Sequence, residues 1–305
     1  MRDSYHRAYE YESSVNPDLP PIPFSSKNHK DCLYGFTKID LSTNYRVSYK
    51  ATSPNLLAGF IKLRPNASML YLNTHNNTES TVWNANSNLF YLIEGKGELT
   101  MDRSHNFLMV RNEIVVSPYF KSLMIKNHSS TDLILYYVND SPLYNYLGAV
   151  PRSRTFRHCH YTNEFIEQKM KELSISENNR NGILLGNADT ERFGTKTITH
   201  TMWALYNQLP PNTKQRIHRH NSVAIDYCVY SPDETKVYTL IGDEIDAEGN
   251  ILHPVKMPWK TGEVFITPPG LWHSHHNETD EVAYVLPVQD AGLLLYQRIL
   301  GISLY

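Results

Sequence analysis

From about residue 34 the chain is a succession of short apolar runs cut by Gly, Pro, Asn and Asp. NLLAGFIKL (55–63), LFYLIEG (89–95), NEIVVSP (112–118) and DLILYYV (132–138) are examples. Runs of this length, rich in β-branched and aromatic residues and bounded by turn formers, predict strands of an all-β sandwich or barrel. The pattern holds to about residue 145 and changes once, at TNEFIEQKMKEL (162–173). There Thr162 can cap a helix, Glu164 sits in its first turn, and Phe165, Ile166 and Met170 fall at helical spacing. A loop rich in Asn and Gly (177–187) follows. From about residue 196 the short strands resume, in TITHTMWALYNQL, AIDYCVY, KVYTLIG, GEVFITP and EVAYVLPV.

The two β stretches look like copies of one module. NEIVVSPYFKSLMIKN (112–127) and GEVFITPPGLWHSHHN (262–277) align without a gap, and FYLIEGKGEL (90–99) and DYCVYSPDET (226–235) precede them at equivalent places. Reuse of one fold within a chain lets the copies be compared position by position. The expected organisation is an N-terminal arm over 1–33, carrying Pro17, Pro20, Pro21 and Pro23. A first barrel over 34–150, a helical connector over 151–195 and a second barrel over 196–305 follow.

Bulk properties narrow the function classes. The 305 residues are 41% hydrophobic and 20% charged, enough to build a core. The net charge of −2 and the absence of a long basic run give nothing that tracks a phosphate backbone, so no nucleic-acid partner is expected. The polar start MRDSYHRAYEYESS lacks the apolar segment of a secretory signal, and no run is apolar enough to cross a bilayer. Cys32, Cys159 and Cys228 are too few and scattered for a disulfide framework. The sequons at Asn76, Asn127, Asn139 and Asn277 carry little weight in an Asn-rich chain without such a signal. A soluble, cytoplasmic protein without a membrane partner is the expectation.

The chemistry concentrates in the second copy. His218 and His220 flank Arg219, and the segment Pro268-Pro269-Gly270-Leu271-Trp272-His273-Ser274-His275-His276-Asn277 lies about fifty residues on. Side chains on a strand alternate faces, so His218 and His220 point the same way. A Pro-x-Gly turn then begins a strand that can bring His273 to the same ion. Neutral imidazoles suit divalent Fe, Mn, Ni, Cu and Zn, and three protein ligands with open positions describe a catalytic metal. The same parity turns Asp226 and Cys228 toward that cavity, and turns His275 to the face of His273 while Trp272 and His276 look away. His158-Cys159-His160 repeats the His-x-His spacing in the connector, without a partner motif, and is not read as a metal site. His200, on a strand of the second copy, can line the pocket or pack.

These two segments resemble the paired motifs of the cupin superfamily, G-x5-H-x-H-x3,4-E-x6-G and G-x5-P-x-G-x2-H-x3-N. The second matches in full from Pro268 to Asn277. The first matches in its histidines, with Ala224 where the motif has Glu and Tyr230-Ser231 where it ends in Gly. Lacking the Glu, the site is similar to the three-histidine cupins, and most of all to the gentisate and salicylate 1,2-dioxygenases, which are bicupins. HRHNSVAIDY (218–227) and the Trp272-His273-Ser274-His275 run carry that likeness, with ATSPNLLAGFIKL (51–63) upstream. The resemblance implies an all-β fold of two double-stranded β-helix barrels and association into a homo-oligomer. It also implies a mononuclear Fe(II) centre on His218, His220 and His273 (Mn, Ni or Zn as alternatives), with O2 and a small molecule as reactants. His275 then contacts substrate and moves protons.

Two departures shape the expectation further. In that family the metal sits in the N-terminal barrel, whereas here the equivalent positions are Val82, Asn84, Asn88 and Leu123, so a metal-free first barrel is expected. Where the family has an Arg for the substrate carboxylate, this chain has Asp226. Like charges repel in a low-dielectric pocket. Asp226 suits an amine or guanidinium substrate, a hydrogen bond to a ligand His, or a base. The leading expectation is an Fe(II)-dependent oxygenase or dioxygenase acting on a small aromatic or nitrogen-containing molecule. The alternatives are a redox-neutral isomerase or lyase using a Lewis-acid metal, and a non-catalytic bicupin that binds a small ligand.

Overall fold

The computed structural model describes residues 5–72, 78–173, 176, 179 and 181–305. Its strands form two barrels, each made of two antiparallel sheets. In the first barrel one sheet runs Cys159–Tyr161, Ile114–Ser117, Asn88–Glu94, Leu133–Asn139, Leu57–Leu63 and Gly35–Lys38. Facing it is a sheet of Ser68–Leu72, Ser122–Asn127, Gly97–Met101 and His105–Met109. The second barrel repeats this with Ser26–Asn28, Glu263–Thr267, Ala224–Tyr230, Ala283–Gln289, Trp203–Leu209 and Asn181–Leu185. Its other sheet runs Val255–Pro258, Val237–Gly242, Trp272–Asn277, His218–His220 and Ile302–Leu304. The fold is thus all-β, as the short apolar runs predict, and is built of two double-stranded β-helices, as the resemblance implies.

The six-stranded sheets pack face to face, and aromatic residues dominate the join. Tyr227 of the second barrel stacks on Tyr136 at 5.1 Å between ring centroids and tilts against Tyr91 at 5.3 Å. One buried cluster runs through both sheets, from Phe60, Tyr91 and Tyr136 to Ile225, Leu286 and Val288. Burial of so much apolar surface is the main force joining the halves.

Each half also lends the other a strand. Ser26–Asn28, in the expected arm, pairs with Glu263–Phe265 of the second barrel, and Cys159–Tyr161, in the expected connector, pairs with Ile114–Val116 of the first. Side-chain bonds repeat the exchange. Thr201 Oγ1 donates to Asp140 Oδ2 at 2.9 Å, and at the equivalent place Asn55 Nδ2 donates to Asp290 Oδ2 at 2.8 Å. Gly262, at φ +82°, follows a tight turn and lies so close to His29 that a side chain there would collide with the imidazole.

Several local expectations shift. The predicted helix covers Asn163–Lys171, with the Thr162 hydroxyl accepting from Phe165 N at 3.2 Å as its cap. Two short helices, Ser141–Tyr146 and Ala291–Tyr296, close the ends of the barrels and were too short for periodicity to reveal. The strand expected from residue 196 begins at Trp203, leaving His200 in a bend with Nε2 near Thr155 O. The connector holds two strands, Cys159–Tyr161 and Asn181–Leu185, besides its helix, so His158-Cys159-His160 is not free of strand structure. Asn127, Asn139 and Asn277 are buried rather than surface sequons, and Asn76 lies outside the described residues. Asn127 and Asn277 do the same work in their barrels, each Nδ2 donating to three backbone carbonyls around a turn. Among the described residues no helix is long and apolar enough to cross a membrane.

Candidate metal and substrate site

The second barrel contains a cavity of about 350 Å³ whose wall includes His218, His220, His273, His275 and Asp226. His218 and His273 are cross-strand partners, and Gly270 N donates to His220 O at 2.7 Å. That bond needs the Pro-x-Gly turn, where Gly270 adopts φ +81°. The Ile302–Leu304 strand pairs along the outer edge of His218–His220 and adds Ile302 to the wall.

The three imidazoles are oriented alike. His218 Nδ1 lies 2.9 Å from Arg216 O, His220 Nδ1 2.9 Å from Ser222 O, and His273 Nδ1 3.0 Å from Leu271 O. A carbonyl can only accept, so each Nδ1 carries the proton and each Nε2 keeps its lone pair. Backbone carbonyls fix metal-ligating histidines in this tautomer.

The rings are not closed on a single point. Among the described residues no group of three His, Cys, Asp or Glu side chains is arranged as a finished metal site. Imidazoles bound to one ion at about 2.1 Å in neighbouring positions have centroids about 4.5–5.3 Å apart. His218–His273 at 4.2 Å and His220–His273 at 4.8 Å lie close to that span, while His218–His220 at 6.3 Å is wide. Two of the three spacings thus approach that of a shared ion, and in each ring Nε2 is the unprotonated nitrogen. The donor chemistry therefore fits a divalent metal, with His218, His220 and His273 as the residues that would hold it.

His275 is held differently. Its Nδ1 is 2.7 Å from Thr239 Oγ1, which also accepts from Trp259 Nε1 at 2.8 Å. Thr239 is fully buried, and among the described residues His275 Nδ1 is the acceptor its hydroxyl proton finds. The network therefore places the His275 proton on Nε2. Sequence reasoning singled out His275 but missed Thr239 and Trp259, whose residue types on a strand carry no signal without the fold.

Asp226 lies in this cavity although the strand is interrupted between His218–His220 and Ala224–Tyr230. It is 3% exposed and accepts a 2.7 Å bond from Thr267 Oγ1. Burial pushes its carboxyl up to about 7, and the Thr267 bond opposes that rise only in part. Cys228 packs in the small apolar cluster of this barrel with Trp259 and Phe265, and burial pushes its thiol up. Trp272 turns outward under the Arg219 guanidinium, and His276 stacks on Tyr238. The His158 ring stacks on His105 and His160 pairs with Glu113, both in the first barrel and far from the cavity.

Among the described residues, the matching places of the first barrel are filled by apolar side chains. Register places Leu123 where the second has His273, since each pairs with an equivalent residue (Met101 and Ile241). Val82, Phe90, Leu99, Phe120 and Leu123 belong to one packed cluster with Trp83 and Tyr137. Asn84, at the position of His220, donates instead to Ala149 O and Asn145 Oδ1.

No protein-family model and no curated protein matches the sequence. Solved structures do match in shape. Salicylate 1,2-dioxygenase from Pseudaminobacter salicylatoxidans superposes with a TM-score of 0.73 at 11% identity, over 97% of this chain and 92% of that one. A single-residue variant of that enzyme in complex with gentisate gives 0.68 at 12% identity, over 95% and 88%. Oxalate decarboxylase gives 0.52 at 12% identity, over 86% and 76%. At these identities the likeness concerns fold, and in fold the chain resembles salicylate 1,2-dioxygenase, as a two-barrel, bicupin-like protein.

Proposed function

We propose that the protein is a mononuclear metal-dependent enzyme whose site lies in the second barrel. Specifically, we read it as an Fe(II)- and O2-dependent dioxygenase acting on a small aromatic or nitrogen-containing molecule. The observation that carries this reading is the set of three imidazoles whose Nδ1 atoms are tied to backbone carbonyls, leaving three Nε2 lone pairs beside one cavity. Similarity in fold to a ring-cleaving dioxygenase supports it.

A ferrous ion on three neutral histidines would keep its full 2+ charge and leave positions open for a chelating substrate and dioxygen. His275 Nε2–H is a hydrogen-bond donor for a substrate oxygen that gains negative charge, and Thr239 and Trp259 hold it in that state. Asp226 can take or give a proton near neutral pH. That last property also favours a second reading, a redox-neutral isomerase or lyase in which Asp226 is the base and the metal a Lewis acid. In the segment 5–25 Tyr5, Tyr9 and Tyr11 are exposed, which suits contact with a second copy in a homo-oligomer.

Metal analysis of protein purified without oxygen, followed by nitric oxide and electron paramagnetic resonance, separates the readings. About one iron per chain with an S = 3/2 iron–nitrosyl signal is expected. Tightly held zinc or manganese with activity indifferent to O2 would transfer the assignment to the redox-neutral enzyme. Protein that binds no metal would leave a ligand-binding bicupin.

A further inference from the structure

Beyond the histidines, the cavity wall carries polar groups that the fold itself does not satisfy. Gln215 is 6% exposed, yet among the described residues its buried Oε1 has no hydrogen-bond partner. The indole Nε1–H of Trp203 is likewise buried and has no partner among the described residues. Asp226 makes one hydrogen bond among the described residues, from Thr267. All three residues line the same cavity. Buried polar groups left unmade destabilise a fold, and they are kept where a ligand completes them.

The first barrel supplies an internal control. Register aligns Met69 with Gln215, because Met69 pairs with Ile125 as Gln215 N bonds to His275 O. It aligns Leu57 with Trp203 through Asn139 and Gln289, and Phe90 with Asp226 through Val115 and Phe265. All three counterparts are apolar and pack in or against the filled core. Polar groups thus stand at these places only in the barrel that keeps a cavity.

Two of the three groups offer oxygen acceptors and one offers a donor. An aromatic carboxylate would meet Gln215 Oε1 and the Asp226 carboxyl with more oxygen lone pairs, and its charge would oppose ionised Asp226 at close range inside the protein. An amine brings N–H donors to both. A ring oxygen ortho to it can reach the Trp203 N–H or a bound metal.

We infer that Gln215, Asp226 and Trp203 are specificity-determining residues, and that the cavity selects an amine-bearing aromatic compound over an aromatic carboxylate. This rests on the substrate cavity proposed above and names its substrate class. The probes are 2-(aminomethyl)phenol and salicylate, a pair differing in an aminomethyl group against a carboxylate. Calorimetric titration at pH 7.5 is run on metal-free and on zinc-loaded protein, neither of which turns over with O2. The amine should bind at least about tenfold more tightly in both forms.

Asp226→Arg should reverse the preference, and Asp226→Asn, which keeps the shape of the side chain, should shrink it. Gln215→Met, which installs the first barrel's residue, should weaken the amine about tenfold and leave metal content unchanged. Equal or tighter binding of salicylate, binding of neither compound, or a preference unmoved by both Asp226 variants overturns the inference. Because no step reads catalysis, a protein that fails as an oxygenase can still pass this test. A salicylate-selective cavity would in turn leave the metal assignment standing.

Discussion

The two barrels share a strand plan but fill it in opposite ways. The first packs Val82, Phe90, Leu99, Phe120 and Leu123 into a closed core around Trp83 and Tyr137. The second puts His218, Asp226, Thr239, Gly270 and His273 at the matching places, and a cavity results. Phe120 against Gly270 shows how few changes separate the two. A buried ring stands where the other copy has a glycine, and that glycine's left-handed backbone joins the His218–His220 and Trp272–Asn277 strands. A barrel scaffold tolerates either filling because the strands are held by their ladders and by the aromatic join between halves. Chemistry can therefore collect in one copy while the other serves as ballast for stability.

Experiments can press on this contrast. The largest effect belongs to His273→Ala, which should abolish stoichiometric metal binding while circular dichroism stays native. Leu123→Ala at the matching place should leave metal content untouched, and full metal retention by His273→Ala would sink the three-histidine assignment. Next, Phe90→Ala should cost about 3–5 kcal/mol in denaturant unfolding, the loss typical of an emptied aromatic site. The matching Asp226→Ala should cost far less or even stabilise, since it removes a buried carboxyl; equal losses would mean the barrels are packed alike.

A third effect depends on pH. Folded Asp226 titrates near 7 against an ordinary 3.8, so the metal-free native state binds more protons than the unfolded chain between those values. Its contribution is most favourable below pH 3.8 and is lost as pH rises to about 7, by on the order of 4 kcal/mol. Asp226→Asn should be free of that term. The stability difference between variant and wild type should therefore grow from pH 4 to pH 7 in urea titrations, and a flat difference would show that Asp226 is not desolvated. Asp140 and Asp290, both also pushed up by burial, are present in both proteins and cancel. The smallest effects belong to Thr201→Val and Asn55→Leu, each leaving a buried aspartate short of a donor for about 1–3 kcal/mol. Matching losses would confirm that the two cross-barrel bonds are equivalent.

Much of this was legible in the residues. Short apolar runs and turn formers marked the strands, and the gapless match of 112–127 with 262–277 marked the duplication. The His-x-His pair with Pro-x-Gly-x-x-His pointed to the cavity that the fold brings together. Other features had no local signal. Ser26–Asn28 and Cys159–Tyr161 are three-residue strands whose partners lie far along the chain, so propensity could not place them. Gln215, Trp203, Thr239 and Trp259 acquire meaning only from what they face. Trp203, Leu205 and Asn207 do alternate onto the cavity wall, a period-2 hint that reads as ordinary strand until the barrel closes.

The lent strands carry a consequence for how the chain comes off the ribosome. Ser26–Asn28 is made about 235 residues before its partner Glu263–Phe265, an interval on the order of 10–50 s at usual elongation rates. Through that interval the nascent first barrel can acquire its own ladders, yet its leading segment has nowhere to dock. Docking of Ser26–Asn28 therefore waits for the second barrel, so this part of the join between the halves forms after the first barrel's own strands have been made.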